Sequence, residues 1–370
     1  MKPPTTQREL DTDYGRYPWV LFAFAVVWAV VLVALPDDAY VRFQQLGGDF
    51  VKAQWVYERI VFDDAPIDVA VLGTSRTMDA VDSGMLSEAV SAAGTPIVAA
   101  NLAVPQHGRN LHRAFLERAL EHKAPALVLI EVREIEDRRG HAMFAEVADV
   151  DEMLGQPLVL HFNVLSDAAK FARRRPTVAL ASLMPSVAEV DPAFDAGAYW
   201  GTHPAYHREG DVYAELSKDF LDHLASDYDR DVADRVLPGS LAGLEHRFAV
   251  DTLERIAAAA EAEGAGVAFY YLPGYGSGGR EPVHADVYRE LGELWLPPAE
   301  LFEDPTMFID LHHVRKPVRE AYTAWLAGRV AEWMERRPDG GSDRAGGADG
   351  MDDAGRAGRA GRSDEEGDAG

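Results

Sequence analysis

The chain has 370 residues and a formal net charge of -25, from 36 Lys and Arg against 61 Asp and Glu. That balance argues against a nucleic-acid partner, because phosphate binding needs a concentrated basic face. Cysteine is absent, which excludes disulfides, thiolate catalysis and cysteine–zinc sites. With 47% hydrophobic and 26% charged residues, the composition suits a globular core with a solvated surface. The length allows one large domain or two small ones.

Residues 1–17 are polar, with Lys2, Arg8 and Arg16 as the cations, and 18–35 carry no charge. A run of that length spans the hydrocarbon core as a helix. Trp19 stands at its start, as interfacial aromatics do, and Pro36-Asp37-Asp38 closes it. Cations before the run and acids after it place the N-terminus in the cytoplasm and the rest outside. Residues 18–36 are therefore read as a single-pass signal anchor. A cleaved signal peptide would need a better site than Ala34-Leu35-Pro36, and a buried core helix would need a polar face. Residues 37–66 form an amphipathic connector, with Trp55, Tyr57 and Ile60 apolar among charges.

The first strand of the main domain, residues 67–337, is Val69-Ala70-Val71-Leu72, which runs into Gly73-Thr74-Ser75-Arg76 and a helix over 78–90. A serine at a strand-to-helix turn faces the carboxyl edge of an open α/β sheet, where ligands bind. It also sits where free backbone N–H groups favour developing negative charge. A plain N-cap needs the same residue type. A second strand is expected over 96–102, a helix from 109 to 123 with Leu111, Phe115, Leu116 and Leu120 on one stripe, and a third strand over 126–132. The crossovers are long enough for parallel pairing.

Residues 133–244 break the rhythm and read as an insertion at the carboxyl edge, a lid, a substrate platform or a structural elaboration. Helical patterns fall around 142–154, 167–174 and 212–223. His203 and His207 have chelating spacing, but Pro204 interrupts it and no glutamate accompanies it, so no metal or cofactor is expected. Arg173-Arg174-Arg175 is either a solvated face or, close to a membrane, a site for anionic headgroups. A helix over 245–262 and a fourth strand over 266–272 follow, then a helix over 283–294 and a fifth strand at Phe308. The last helix, 317–334, opens on a proline and packs Tyr322, Leu326, Val330 and Trp333 on the sheet. Residues 338–370 contain almost nothing apolar and are expected to be disordered.

Just before that last helix the chain reads Asp310-Leu311-His312-His313. At a helix start, Asp310 and His313 share a face. The carboxylate then orients an imidazole that takes a proton from a serine hydroxyl. Asp310 as a simple cap with surface histidines is the other reading.

The Gly-x-Ser block after the first strand and the Asp-x-x-His block near the C-terminus, in that order, resemble the SGNH (GDSL-like) hydrolase superfamily. The variant Gly73-Thr74-Ser75-Arg76 is similar to its membrane-anchored branch, which includes alginate O-acetylation and teichoic-acid D-alanyl transfer proteins. The resemblance implies a three-layer α/β/α domain with a five-stranded parallel sheet of flavodoxin-like order. It implies Ser75 as nucleophile and His313 as base, with His312 the fallback and Asp310 holding the ring. Oxyanion donors would be the Ser75 N–H and Gly108, with Gln106 the alternative. The family's third donor, an Asn after the third strand, is missing from Glu131-Val132-Arg133-Glu134-Ile135-Glu136, where Arg133 is the available cation. Arg76 either binds an anionic substrate group or pairs with a surface acid. The activity implied is an extracytoplasmic serine O-acyl esterase or O-acyltransferase. Its substrate would be a surface polysaccharide or cell-wall polymer, with a membrane acyl-donor protein as partner. A non-catalytic scaffold or binding subunit, and a lipase on membrane lipids, are the rivals.

Overall fold

Apolar runs with β-branched members form the sheet in the computed structural model of the chain, which describes residues 17–157, 161, 163–204, 216–235, 244 and 246–337. The strands are β1 Val69–Leu72, β2 Ala99–Asn101, β3 Leu127–Val132, β4 Gly266–Tyr271 and β5 Glu293–Trp295. All pair in parallel, in the order β2-β1-β3-β4-β5. This is the flavodoxin-like order, and its switch point lies between β1 and β3. The expected N-terminal segment, His207, the start of the 212–223 helix and the 338–370 tail fall wholly or largely outside the described residues.

In chain order the helices are α1 Tyr17–Ala34, α2 Ala39–Gln44, α3 Val51–Val61, α4 Ser75–Ala80, α5 Ser83–Ala92 and α6 Arg109–Lys123. They continue as α7 Phe144–Val147, α8 Val150–Leu154, α9 Val164–Leu183, α10 Pro185–Ala188 and α11 Lys218–Arg235. The last three are α12 Arg247–Ala262, α13 Ala285–Leu291 and α14 Lys316–Glu335. Strand alternation sorts the core into two layers around the sheet. Val69, Val71, Leu127 and Leu129 pack with Leu86 and Val90 of α5 and with Tyr322 and Leu326 of α14. Ala70, Leu72, Val128 and Ile130 pack with Trp55 of α3, Phe115 of α6 and Ile256 of α12. Each of the Val, Leu, Ile and Phe side chains among these contributes about 1.5–3 kcal/mol on full burial.

Three elements depart from the sequence reading. The helix expected over 78–90 is two helices, because Val81 is extended and Asp82 caps α5 by accepting from Met85 N at 3.0 Å. The fifth strand is Glu293–Trp295, not the Phe308 run. Gly292 ends α13 where a Cβ would come within 2.5 Å of Val267 O, so the chain can lie against β4 there. Phe308 instead makes one isolated antiparallel bridge with Val314, and its ring is fully buried beside Phe302 and Tyr275. Asp310–His313 is a turn rather than a helix start, since α14 begins only at Lys316, with Pro317 second.

α1 is an uncharged helix of 18 residues in which only Leu32 is buried. At 1.5 Å per residue it measures ~27 Å, long and apolar enough to cross a membrane. The connector forms α2 and α3, joined by stacking of Phe43 on Tyr57 with ring centroids 4.6 Å apart.

Candidate active site

Gly73 and Thr74 turn the chain from β1 into α4, and Ser75 is the first residue of that helix. The partner across the switch point shapes the turn. Leu72 is in register with Ile130, so Gly73 meets Glu131 at the end of β3. The buried Glu131 carboxylate accepts from Thr74 N at 2.6 Å, Thr74 Oγ1 at 2.9 Å and Thr77 Oγ1 at 2.6 Å. A Cβ on Gly73 would overlap Thr77 Oγ1 and come within 2.7 Å of Glu131 Oε2, so only glycine fits. The Gly73 carbonyl accepts from Val104 N and from His112 Nε2, both at 3.2 Å. The turn that carries Ser75 is thus fixed on both sides.

The half-buried Ser75 places Oγ 2.8 Å from His313 Nε2. His313 Nδ1 lies 2.7 Å and 2.9 Å from the two Asp310 oxygens. Asp310 Oδ1 also accepts the backbone N–H of His312 at 2.8 Å and of His313 at 2.9 Å. One carboxylate therefore folds the turn and orients the ring it carries. Burial opposes the Asp310 charge, but the His313 hydrogen bond and the two backbone N–H groups hold its pKa below the usual carboxylate range. With Asp310 ionised, His313 keeps its proton on Nδ1 and presents the Nε2 lone pair to the Ser75 hydroxyl.

A second rung runs beside the first, between the next residue on one turn and the preceding one on the other. Arg76 Nη2 donates to His312 Nδ1 at 2.7 Å. Arg76 Nη1 donates to both oxygens of Glu134, at 3.1 Å and 2.9 Å, and to Leu272 O at 3.0 Å. Glu134 also accepts from Gly274 N at 2.7 Å and from the Tyr228 hydroxyl of α11 at 3.0 Å. Burial alone would raise the Glu134 pKa; the Arg76 and Arg133 charges overcome it and hold the group at about 2. Burial, then the same two arginines, pushes His312 down to about 2. A neutral His312 whose Nδ1 lone pair is taken by Arg76 is no fallback base, which corrects that expectation. Arg76 is corrected too. It does pair with an acid, but that acid is the buried Glu134 rather than a surface one, and at 2% exposure its guanidinium is committed to protein partners.

The remaining residues singled out in the sequence lie apart from this chain of bonds. Gly108 is extended at the start of α6, where a Cβ would overlap the His141 backbone. Gln106 is exposed with φ 71°. Among the described residues, no hydrogen bond joins either to Ser75. Arg133 is half-buried at the end of β3, with Nε buried and without an acceptor, and its charge acts on both Glu134 and His312. His203 Nδ1 lies 3.1 Å from Ser83 Oγ. No cluster of three or more His, Asp or Glu suited to a metal occurs among the described residues.

Glu131, Glu134, His112 and Tyr228 were not legible as site residues. The available signal was Glu131, Glu134 and Glu136 closing an otherwise apolar strand, since buried carboxylates persist only with partners. Glu136 holds a separate buried group: it pairs with Arg109, accepts from the Tyr288 hydroxyl at 2.6 Å and lies 3.1 Å from His107 Nε2. Arg109 in turn donates to Glu131 O at 2.8 Å, so this group supports the same strand end.

No protein-family model, curated protein or solved structure matches this chain.

Proposed function

We propose that this chain is a membrane-anchored serine O-acyl esterase or O-acyltransferase of SGNH type. The supporting observation is the Ser75–His313–Asp310 hydrogen-bonded chain at the switch point of the sheet. Ser75 Oγ attacks the acyl carbonyl carbon while His313 Nε2 takes the hydroxyl proton. The tetrahedral intermediate collapses, the C–O bond to the leaving alcohol breaks, and His313 returns the proton to that alcohol. Water or a sugar hydroxyl then attacks the acyl-serine, giving up its proton to His313, which passes it to Ser75. Asp310 keeps the ring in the required tautomer and offsets the imidazolium charge. The Ser75 N–H at the start of α4 is one donor for the oxyanion, with Gly108, Gln106 and Arg133 the further candidates.

The substrate class, an envelope polysaccharide or cell-wall polymer with a membrane protein supplying acyl groups, rests on the resemblance and on α1 as an anchor. In this reading α1 crosses the membrane once, with its N-terminus in the cytoplasm and the domain outside. The test uses the full chain in neutral detergent, with a fluorophosphonate probe and p-nitrophenyl acetate. Labelling and ester cleavage are expected for wild type and lost in Ser75→Ala and His313→Ala. An unlabelled, folded wild type would favour the scaffold reading, toward which the missing Asn after the third strand points.

A further inference from the structure

The arginine run that follows Ala172 lies at the end of α1. Arg175 donates to the carbonyls of Leu32 at 3.0 Å, Val33 at 3.3 Å and Leu35, and pairs with Asp37. Those carbonyls have no partner within the helix, and a cation there complements its negative end. Asp38 N donates to Ser182 Oγ at 3.2 Å, which fixes α9 to the same point. Beside Ser182, Leu180, Leu183, Met184 and Val187 are 51%, 68%, 48% and 63% exposed. Large apolar side chains at the level where an apolar helix ends are suited to the bilayer interface.

A cavity of about 250 Å³ opens beside this junction, between α2, α7 and α9, and Arg42, Glu146, Arg173 and Arg174 line it. Arg174 is 7% exposed. Its Nη2 donates to Ala148 O at 2.8 Å, but Nε and Nη1 are buried without an acceptor. Burying guanidinium donors unpaired is costly unless a ligand satisfies them. Burial, with Arg42 beside it, lowers the Arg174 pKa to about 10. Arg173 reaches out of the cavity, its side chain 81% exposed, with Glu146 4.0 Å away. Asp37 is shared between Arg42 and Arg175. Arg42, Arg173, Arg174 and Arg175 thus meet Asp37 and Glu146 at this junction, with Arg118, Asp149 and Glu152 also acting on Arg42.

We propose that this cavity binds the phosphate of an anionic lipid headgroup in the membrane that α1 crosses. The proposal rests on the anchor reading of α1 and not on the Ser75 chemistry. A lipid is the occupant because Arg42 of the cavity wall pairs with Asp37 just past the end of α1, and exposed apolar residues flank the same junction. Arg174 supplies the unpaired donors, Arg173 the outer charge, and the acyl chains would run along α1 and the Leu183–Val187 surface.

The test is a titration of the full chain in neutral detergent, reading Tm. Dioctanoyl phosphatidylglycerol, dioctanoyl phosphatidylcholine and inorganic phosphate are the three probes. Phosphatidylglycerol is expected to raise Tm saturably, and the other two are not. Arg174→Gln should weaken the midpoint at least about tenfold, the loss of one charge-assisted contact. Arg173→Gln, an exposed change that leaves the fold intact, should weaken it about threefold, as for a partly screened charge. No rise in wild type, an unchanged midpoint in Arg173→Gln, or an equal saturable rise with inorganic phosphate would each overturn the proposal. Flotation with phosphatidylcholine vesicles reads the anchor separately. It should persist in both variants, and its loss in wild type would overturn the anchor and leave the detergent titration interpretable.

Discussion

Replacing Arg76 by Met tests whether the second rung positions the first. The change removes the guanidinium that binds Glu134, Leu272 O and His312, and leaves the Glu134 carboxylate buried with its main counter-charge gone. Breaking one partner of a buried pair costs about 3–5 kcal/mol. At roughly 2–4 °C per kcal/mol for a domain of this size, Tm should fall on the order of 10 °C. The turn carrying His313 also loses its tie to the turn carrying Ser75, and a displacement of about 1 Å costs on the order of a hundred-fold in rate. The assay is the fluorophosphonate labelling rate of Ser75, measured well below the variant's Tm. The double variant Arg76→Met/Glu134→Leu separates the two effects. It removes both charges and should recover most of the stability, but not the labelling rate, because His312 still lacks its donor. Wild-type labelling in a folded Arg76→Met protein, or full recovery of rate in the double variant, would refute the positioning role.

Four further outcomes follow from the geometry. Gly73→Ala forces a Cβ onto Thr77 Oγ1 and Glu131; denaturant unfolding should show a loss of about 1–3 kcal/mol, with slower labelling of Ser75. Asp310→Asn keeps the shape of the turn but destabilises the required His313 tautomer, and ester cleavage should fall about 10⁴-fold. Glu134 has a folded pKa of about 2 against an ordinary 4.5, so its contribution to stability is full above pH 4.5 and lost as pH falls toward 2. Denaturant midpoints across that window should decline in wild type and decline less steeply in Glu134→Gln, where Asp310, Glu136 and Asp63 still titrate. Because the chain has no cysteine, Thr5→Cys and Ser363→Cys report topology without background. An impermeant maleimide should label Ser363→Cys in intact cells and Thr5→Cys only after permeabilisation.

Strands β1, β3 and β4 were legible because each is a continuous apolar run between breakers, the pattern of a strand buried on both faces. β5 was not, since three residues after a short helix carry no periodic signal, while the apolar Phe308 run carries a false one. Ser75, Asp310 and His313 could be nominated because their spacing is local to two short blocks. Their supporting residues were illegible for the opposite reason. Glu131 and Glu134 lie more than 50 residues from the turn they hold, and a buried acid reads like a surface acid until its partner is known. Arg76 was half legible on the same grounds: pairing with an acid was one of its two readings, but only the fold reveals that the acid is the buried Glu134.

The paired rungs divide labour between sequence neighbours. In the proposed function Ser75 and His313 carry the reactive contact, while Arg76 and His312 cross-link the same two turns through the next residue on one and the preceding residue on the other. Truncating the reactive pair leaves the cross-link and its buried counter-charges in place. A Ser75→Ala protein should therefore keep the shape of its cleft while losing the proposed nucleophile, and under that proposal it is suited to trapping an intact acyl ester for identification.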